Sequence, residues 1–178
     1  MQQFTSQPSQ DSQDLDTMAK AVGLVVLQWG QAEQSLEMLV ALLWQALGGE
    51  IHAKRIPKML ETKLAFVRKC AALLPKLASH RERIEELANS FEALSVTRHD
   101  LIHGAPASIA PVDGAFVFSR LEIRDGYHYH REIRINKEQY PLLVRRLVNI
   151  GREALELVAS VFELVKEGGP YVRSFGET

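Results

Sequence analysis

The residues of this chain whose types could do chemistry gather in Thr97–Gly104, which reads Thr-Arg-His-Asp-Leu-Ile-His-Gly. Arg98 is a permanent cation whose planar fork can hold two oxygens of one phosphate. His99 and His103 carry imidazoles with an ordinary pKa of ~6.5, so either can take or give a proton at neutral pH. With Asp100 beside them, these groups suffice in kind for metal-independent phosphodiester cleavage. An imidazole takes the proton of a ribose 2′-hydroxyl or supplies one to the leaving oxygen, and the guanidinium stabilises the extra negative charge of the phosphorane-like transition state.

Spacing by itself says little. With 13 Arg and 6 His in 178 residues, a His five positions after an Arg arises by chance about 0.4 times, and a similar spacing recurs at Arg124 and His130. On a helix, five residues turn through about 140°, so either the long Arg98 side chain reaches round to His103 or a second subunit completes the site. A purely structural role stays open, with Arg98 and Asp100 in local salt bridges and His103 favoured at a helix C-terminus by about 0.3–1 kcal/mol. His99 and His103, about 40° apart on a helix, would need a third ligand such as Asp100, Glu33 or a strand histidine to hold a metal. No Glu lies between them and no Cys pair is near, so no metal and no cofactor is expected. The chain has no Gly-rich phosphate loop, no Gly-x-Ser-x-Gly elbow and no local Cys–His pair.

The elements that must position Arg98–His103 are helices. Asp16 or Thr17 can cap a first helix running to about Leu47, where Gly48-Gly49 end it. Val22, Val25, Val26, Trp29, Leu36, Leu39, Val40, Leu43 and Trp44 recur along it at helical spacing. Gly23 and Gly30, seven residues apart on nearly one face, each cost about 1 kcal/mol against alanine, which a close crossing by another helix would offset. Glu33, four residues after Trp29, is either a solvated charge or a buried acceptor for polar groups on another helix. Ile51–Leu60 is short and broken by Pro57, Thr62–Leu74 is a second clear helix, and Lys76–His103 a third, stopping at Gly104 with Pro106 beyond. After Gly104 the period changes from 3.6 to 2. Phe116–Ile123 and Tyr127–Ile135 flank Asp125-Gly126, a two-residue hairpin signal, and their alternation suggests one apolar and one charged face. Asp113-Gly114 can turn an earlier short strand into the same sheet. Asn136 opens an Asn-Lys-Glu-Gln capping box for a last helix, Tyr140–Glu167.

The expected fold is therefore mainly α: a bundle of four to five helices with an antiparallel β-hairpin inserted at about 107–135, before the last long helix. Residues 16–169 form one domain; 1–15, rich in Gln and poor in apolar residues, are an expected disordered tail, and 170–178 a C-terminal tail. Composition is 46% hydrophobic and 24% charged with a net charge of −1, which suggests neither a strongly basic binder nor an acidic tail. Glu50–Arg83 nonetheless holds nine Lys or Arg against three Glu. These are either solvated helix faces or a surface facing a polyanion, in which case Lys54, Arg55 and Lys58 would contact RNA phosphates. The lone Cys70 lies in an apolar run, is expected to be buried and excludes an internal disulfide. With no signal-peptide pattern and no long apolar span, the expected location is the cytoplasm, away from membranes.

Arg98, His99 and His103 in this setting resemble the Arg-(Asn/Asp/His)-x-x-x-His signature of HEPN domains, helical bundles that include RNA-cleaving toxins and antiphage effectors. Trp29 and Glu33 resemble the Trp-x-x-x-Glu pattern of some members. The resemblance covers about residues 17–104 and the last helix; the hairpin is an addition to it. It implies a metal-independent endoribonuclease with Arg98 and His103 catalytic and His99, Asp100 and Glu33 supporting. It further implies RNA as substrate, a homodimer with a composite active site, a toxin or antiphage role, and restraint by an antitoxin or regulatory partner. A noncatalytic nucleic-acid-binding module or protein-interaction scaffold of the same fold is the alternative.

Overall fold

The computed structural model describes residues 10–110 and 112–167. Residues 1–9 of the expected N-terminal tail and the whole expected C-terminal tail, 170–178, lie outside them. Four helices and a small antiparallel sheet follow in the order α1 (Gln10–Ala46), α2 (Leu60–Leu73), α3 (Arg81–His103), β1 (Ala105–Ile109), β2 (Phe116–Arg124), β3 (Tyr127–Ile135) and α4 (Gln139–Glu167). Short 3₁₀ turns at Gly49–His52 and Pro75–His80 precede α2 and α3. No helix among the described residues is long and apolar enough to cross a membrane.

The helix boundaries differ from expectation in instructive ways. α1 starts at Gln10, inside the segment expected to be disordered. Asp16 and Thr17 are surface residues of its second and third turns: Asp16 pairs with Lys20 and the Thr17 hydroxyl donates to the Gln13 carbonyl. Gln10–Thr17 contains no Pro or Gly, and acidic residues early in a helix are favoured by its dipole. α3 begins at Arg81 because Pro75–His80 winds as a 3₁₀ turn, and Arg81 donates to the Ala71 and Ala72 carbonyls at the end of α2. At α4 the Asn136 main-chain carbonyl accepts from the Gln139 and Tyr140 N–H groups.

The chain divides into two compact units, Met1–Gln28 with Ser95–Leu147 and Trp29–Leu94 with Val148–Thr178. The second has an all-helical core. Trp29, Leu36, Leu39 and Leu43 of α1, Leu64, Val67 and Cys70 of α2, Ile84, Leu87 and Phe91 of α3, and Ala154, Leu157 and Val161 of α4 are all buried. Trp29 meets Phe91 edge-on at 5.7 Å, and Gly151 allows α4 to approach Ala32, whose Cα lies 3.3 Å from where a Cβ would stand. The close crossing thus falls at Gly151; a Cβ at Gly23 or Gly30 would meet nothing within 4 Å.

The first unit holds the sheet, in the order β1-β2-β3. Asp125 and Gly126 both take positive φ, 52° and 79°, the geometry of a type I′ hairpin. The resulting register pairs Phe116 with Ile135, Phe118 with Ile133, Arg120 with Arg131, Glu122 with Tyr129 and Arg124 with Tyr127. The faces are consequently mixed rather than apolar and charged. Phe116, Phe118, Ile133 and Ile135 share the packed face with Arg120 and Arg131, whereas Leu121 and Ile123, 57% and 67% exposed, oppose His130 and His128 on the other. Phe116 also meets Tyr140 of α4 edge-on at 5.8 Å, and the Tyr140 hydroxyl donates to the Ala21 carbonyl of α1. β1 follows α3 without a linker: at Gly104 a Cβ would come within 2.7 Å of the Asp100 carbonyl oxygen and 2.9 Å of the Phe118 Cβ.

Candidate functional site

The last turns of α3 present Arg98–His103 on different sides of the helix. Ile84, Leu87, Phe91, Leu94 and Leu101 form its buried stripe, and Arg98, half-buried, falls in the same register between Leu94 and Leu101. His99 and His103 are exposed, one turn apart, with ring centroids separated by 4.4 Å and planes inclined at 51°. The structure therefore groups His99 with His103 and leaves Arg98 on another side, as the 140° rotation requires.

Asp100 is 7% exposed, and its partners come from the sheet. Oδ1 accepts from Arg120 Nη1 at 3.0 Å and Oδ2 from Arg131 Nη2 at 2.9 Å. Because Arg120 and Arg131 are directly opposed across β2 and β3, their like charges would repel; the carboxylate between them removes that conflict. Arg131 also pairs with Glu122 at 3.1 Å. Arg120 Nη2 lies 2.8 Å from His99 Nε2. A guanidinium can only donate, so His99 Nε2 accepts and the ring proton of neutral His99 is on Nδ1. Although His99 is exposed overall, partial desolvation of its ring against these neighbours, reinforced by the charge of Arg120 and by His103, lowers its pKa. His103 has its ring contact with His99 and no hydrogen bond among the described residues.

Beside Asp100 a cleft of about 600 Å³ runs along the outer edge of β3, lined by Thr97, Arg131, Ile133, Ile135, Leu142 and Arg146 among others. Arg131 also neutralises Asp100, while Arg146 makes no ion pair among the described residues. His128 and His130 are exposed on the opposite sheet face, where Ser119 Oγ lies 2.9 Å from His130 Nδ1. No group of three His, Cys, Asp or Glu suited to a metal ion occurs among the described residues.

The remaining expected site residues lie elsewhere. Glu33 is in the helical unit, accepting from Trp29 Nε1 at 3.0 Å and from Lys63 Nζ at 3.1 Å; the Trp-x-x-x-Glu pattern is thus a hydrogen bond across one turn. Lys63, only 2% exposed, also pairs with Glu37 at 2.6 Å. Burial works against its charge, but the two carboxylates raise its pKa. Arg68 is taken up by Glu92, Glu85 and Asn89. Much of the basic charge of Glu50–Arg83 therefore serves internal pairs, while Lys54, Arg55 and Lys58 remain exposed in the loop before α2.

Comparisons with known proteins return no match: no family model, no curated protein and no solved structure is similar to this chain.

Proposed function

We propose that this chain is a metal-independent endoribonuclease of the HEPN type. The observation that carries the reading is the packed His99–His103 pair with an arginine on one of its rings. In the reaction, neutral His103 takes the proton of a ribose 2′-hydroxyl and the 2′-oxygen bonds to phosphorus. The bond to the 5′-oxygen breaks, and that oxygen receives a proton from an imidazolium. The products are a 2′,3′-cyclic phosphate and a 5′-hydroxyl. Arg98, set on another side of the helix from His103 of its own chain, reaches the phosphate oxygens from the second copy of a dimer and holds them as negative charge builds.

Because Arg120 occupies the His99 lone pair, the pair leaves His103 as its one imidazole without a hydrogen bond among the described residues, whereas the reaction uses a base and an acid. A two-fold homodimer supplies the second His103. Gly23, Leu24 and Leu27, on one stripe of α1 with both leucines exposed, are the surface for that association. A mass of 20.0 kDa across micromolar concentrations in light scattering would remove the composite site.

The test of cleavage is labelled RNA incubated with the protein in EDTA, with products resolved for a cyclic-phosphate end. Activity lost in Arg98→Ala and His103→Ala, with folding retained, supports the enzyme. A second reading, a noncatalytic binding module or scaffold of the same fold, is favoured by the engagement of Arg120 and Arg131 with Asp100. RNA binding without product would select it.

A further inference from the structure

The packed face of the sheet does not end at Arg131. Residues of one strand face recur every two positions, about 6.8 Å apart, so along β3 this face carries Ile135, Ile133, Arg131, Tyr129 and Tyr127 in succession. The two isoleucines are buried and Arg131 is bound to Asp100. Tyr129 and Tyr127, the next two, are 50% and 69% exposed. Two large rings stand exposed on one face of a hairpin arm, and β3 is an edge strand with no strand paired to its outer side among the described residues.

We propose that Tyr127 and Tyr129 are a base-stacking platform that selects single-stranded RNA and feeds it along β3 to the candidate site. This rests on the reading of the His99–His103 end as an RNA site and adds the class of RNA that it accepts. Three observations favour a nucleic-acid strand as the occupant. Tyr127 and Tyr129 share their face with the cation Arg131, and the carboxylate opposite Tyr129, Glu122, is paired with that same arginine, while His128 and His130 lie on the other face. The platform is continuous, on one face, with Arg131 and so with Asp100 and the arginine held against His99. Past Arg131 the same strand borders the cleft of about 600 Å³, where Arg146 offers a guanidinium outside any ion pair among the described residues and Ile133 and Leu142 offer apolar wall. Stacking needs the flat face of a base, which a duplex keeps covered, so the platform discriminates for unpaired segments.

The experiment measures binding separately from cleavage, using a fluorescein-labelled, short 2′-O-methylated oligouridylate whose blocked 2′-oxygen cannot react. Wild type, Tyr127→Ser/Tyr129→Ser, Tyr127→Phe/Tyr129→Phe and Arg146→Gln are titrated by anisotropy, with circular dichroism to check folding. The serine pair is expected to weaken binding at least roughly tenfold, the phenylalanine pair to restore it, and Arg146→Gln to weaken it with a shallower salt dependence. A duplex of the same sequence should bind much more weakly. Equal affinity for duplex and single strand, unchanged affinity in the serine pair, or no binding by wild type would each overturn the proposal. A serine pair that lowers the mass in light scattering while leaving affinity intact would do so too, by assigning the tyrosines to self-association. Tyrosine-dependent binding in a protein that never cleaves RNA would sustain this inference and defeat the ribonuclease reading. Cleavage that ignores the tyrosines would do the reverse.

Discussion

Replacing Asp100 by alanine should detach the sheet from the end of α3. The carboxylate is 7% exposed and its two arginine partners differ in exposure, with the side chains of Arg120 and Arg131 23% and 45% accessible. A charge-assisted bond to the more buried Arg120 is worth about 1.5–3 kcal/mol, while the half-exposed Arg131 adds roughly 0–1 kcal/mol after screening by solvent. Removal also restores repulsion between two arginines opposed in the ladder. A loss of roughly 2–4 kcal/mol follows, which for a chain of this size lowers Tm by roughly 4–16 °C. Thermal melts by circular dichroism measure it, and a double-mutant cycle of Asp100→Ala with Arg120→Gln isolates the pair, with a coupling of about 1 kcal/mol or more expected. Because Asp100 is the one neighbour that raises the His99 pKa, an NMR titration should find the His99 pKa lower still in Asp100→Asn. A melting temperature within about 1 °C of wild type, with no coupling to Arg120, would refute the argument that this carboxylate fastens the hairpin.

Acidification should destabilise the protein through His99. Its folded pKa is lowered, so between that value and the ordinary ~6.5 the unfolded chain binds more protons, and stability rises with pH through that window. Melting temperatures recorded across it should fall towards low pH, and less so in His99→Gln, whose amide oxygen can still accept from Arg120. Lys63→Ala, which removes a buried stem and leaves Glu33 and Glu37 facing each other, should cost about 2–4 kcal/mol in urea unfolding, and Lys63→Met distinctly less because it refills the volume. Gly104→Ala sets a methyl against the Asp100 carbonyl and Phe118, and should cost roughly 1–3 kcal/mol by the same measurement. A neutral result would mean that α3 and β1 can separate freely.

The sequence announced its elements where a local rule forces the backbone. Gly48-Gly49 and Gly104 stop helices, and Asp125-Gly126 imposes a hairpin, because few residues tolerate those positions. What escaped depended on pairing between distant residues. By alternation Arg120 falls on the charged face of its strand and Arg131 on the apolar face of its own, so neither reads as the other's partner, yet the signal was present. A two-residue turn at Asp125-Gly126 pairs Arg124 with Tyr127 and therefore Arg120 with Arg131, and two opposed arginines call for an anion, which Asp100 supplies. Similarly, composition shows Lys63 as one more cation of a basic stretch; only the helical packing makes it the buried partner of Glu33. Arg98 and His103 lie five residues apart in sequence, but helical rotation separates them and brings His99 to His103 instead.

The arginine pair also bears on how this chain can change over time. Arg120 and Arg131 face each other partway up the hairpin, so shortening both strands evenly from the tip, beyond that rung, deletes them together and strands a carboxylate at position 100 in a sealed environment. A lineage that trims the arm must therefore alter residue 100 in the same stretch of its history, and one that loses the aspartate first carries two clashing cations. The expected outcome is that homologues keep the three positions together or lose them together, whatever happens to the rest of the hairpin.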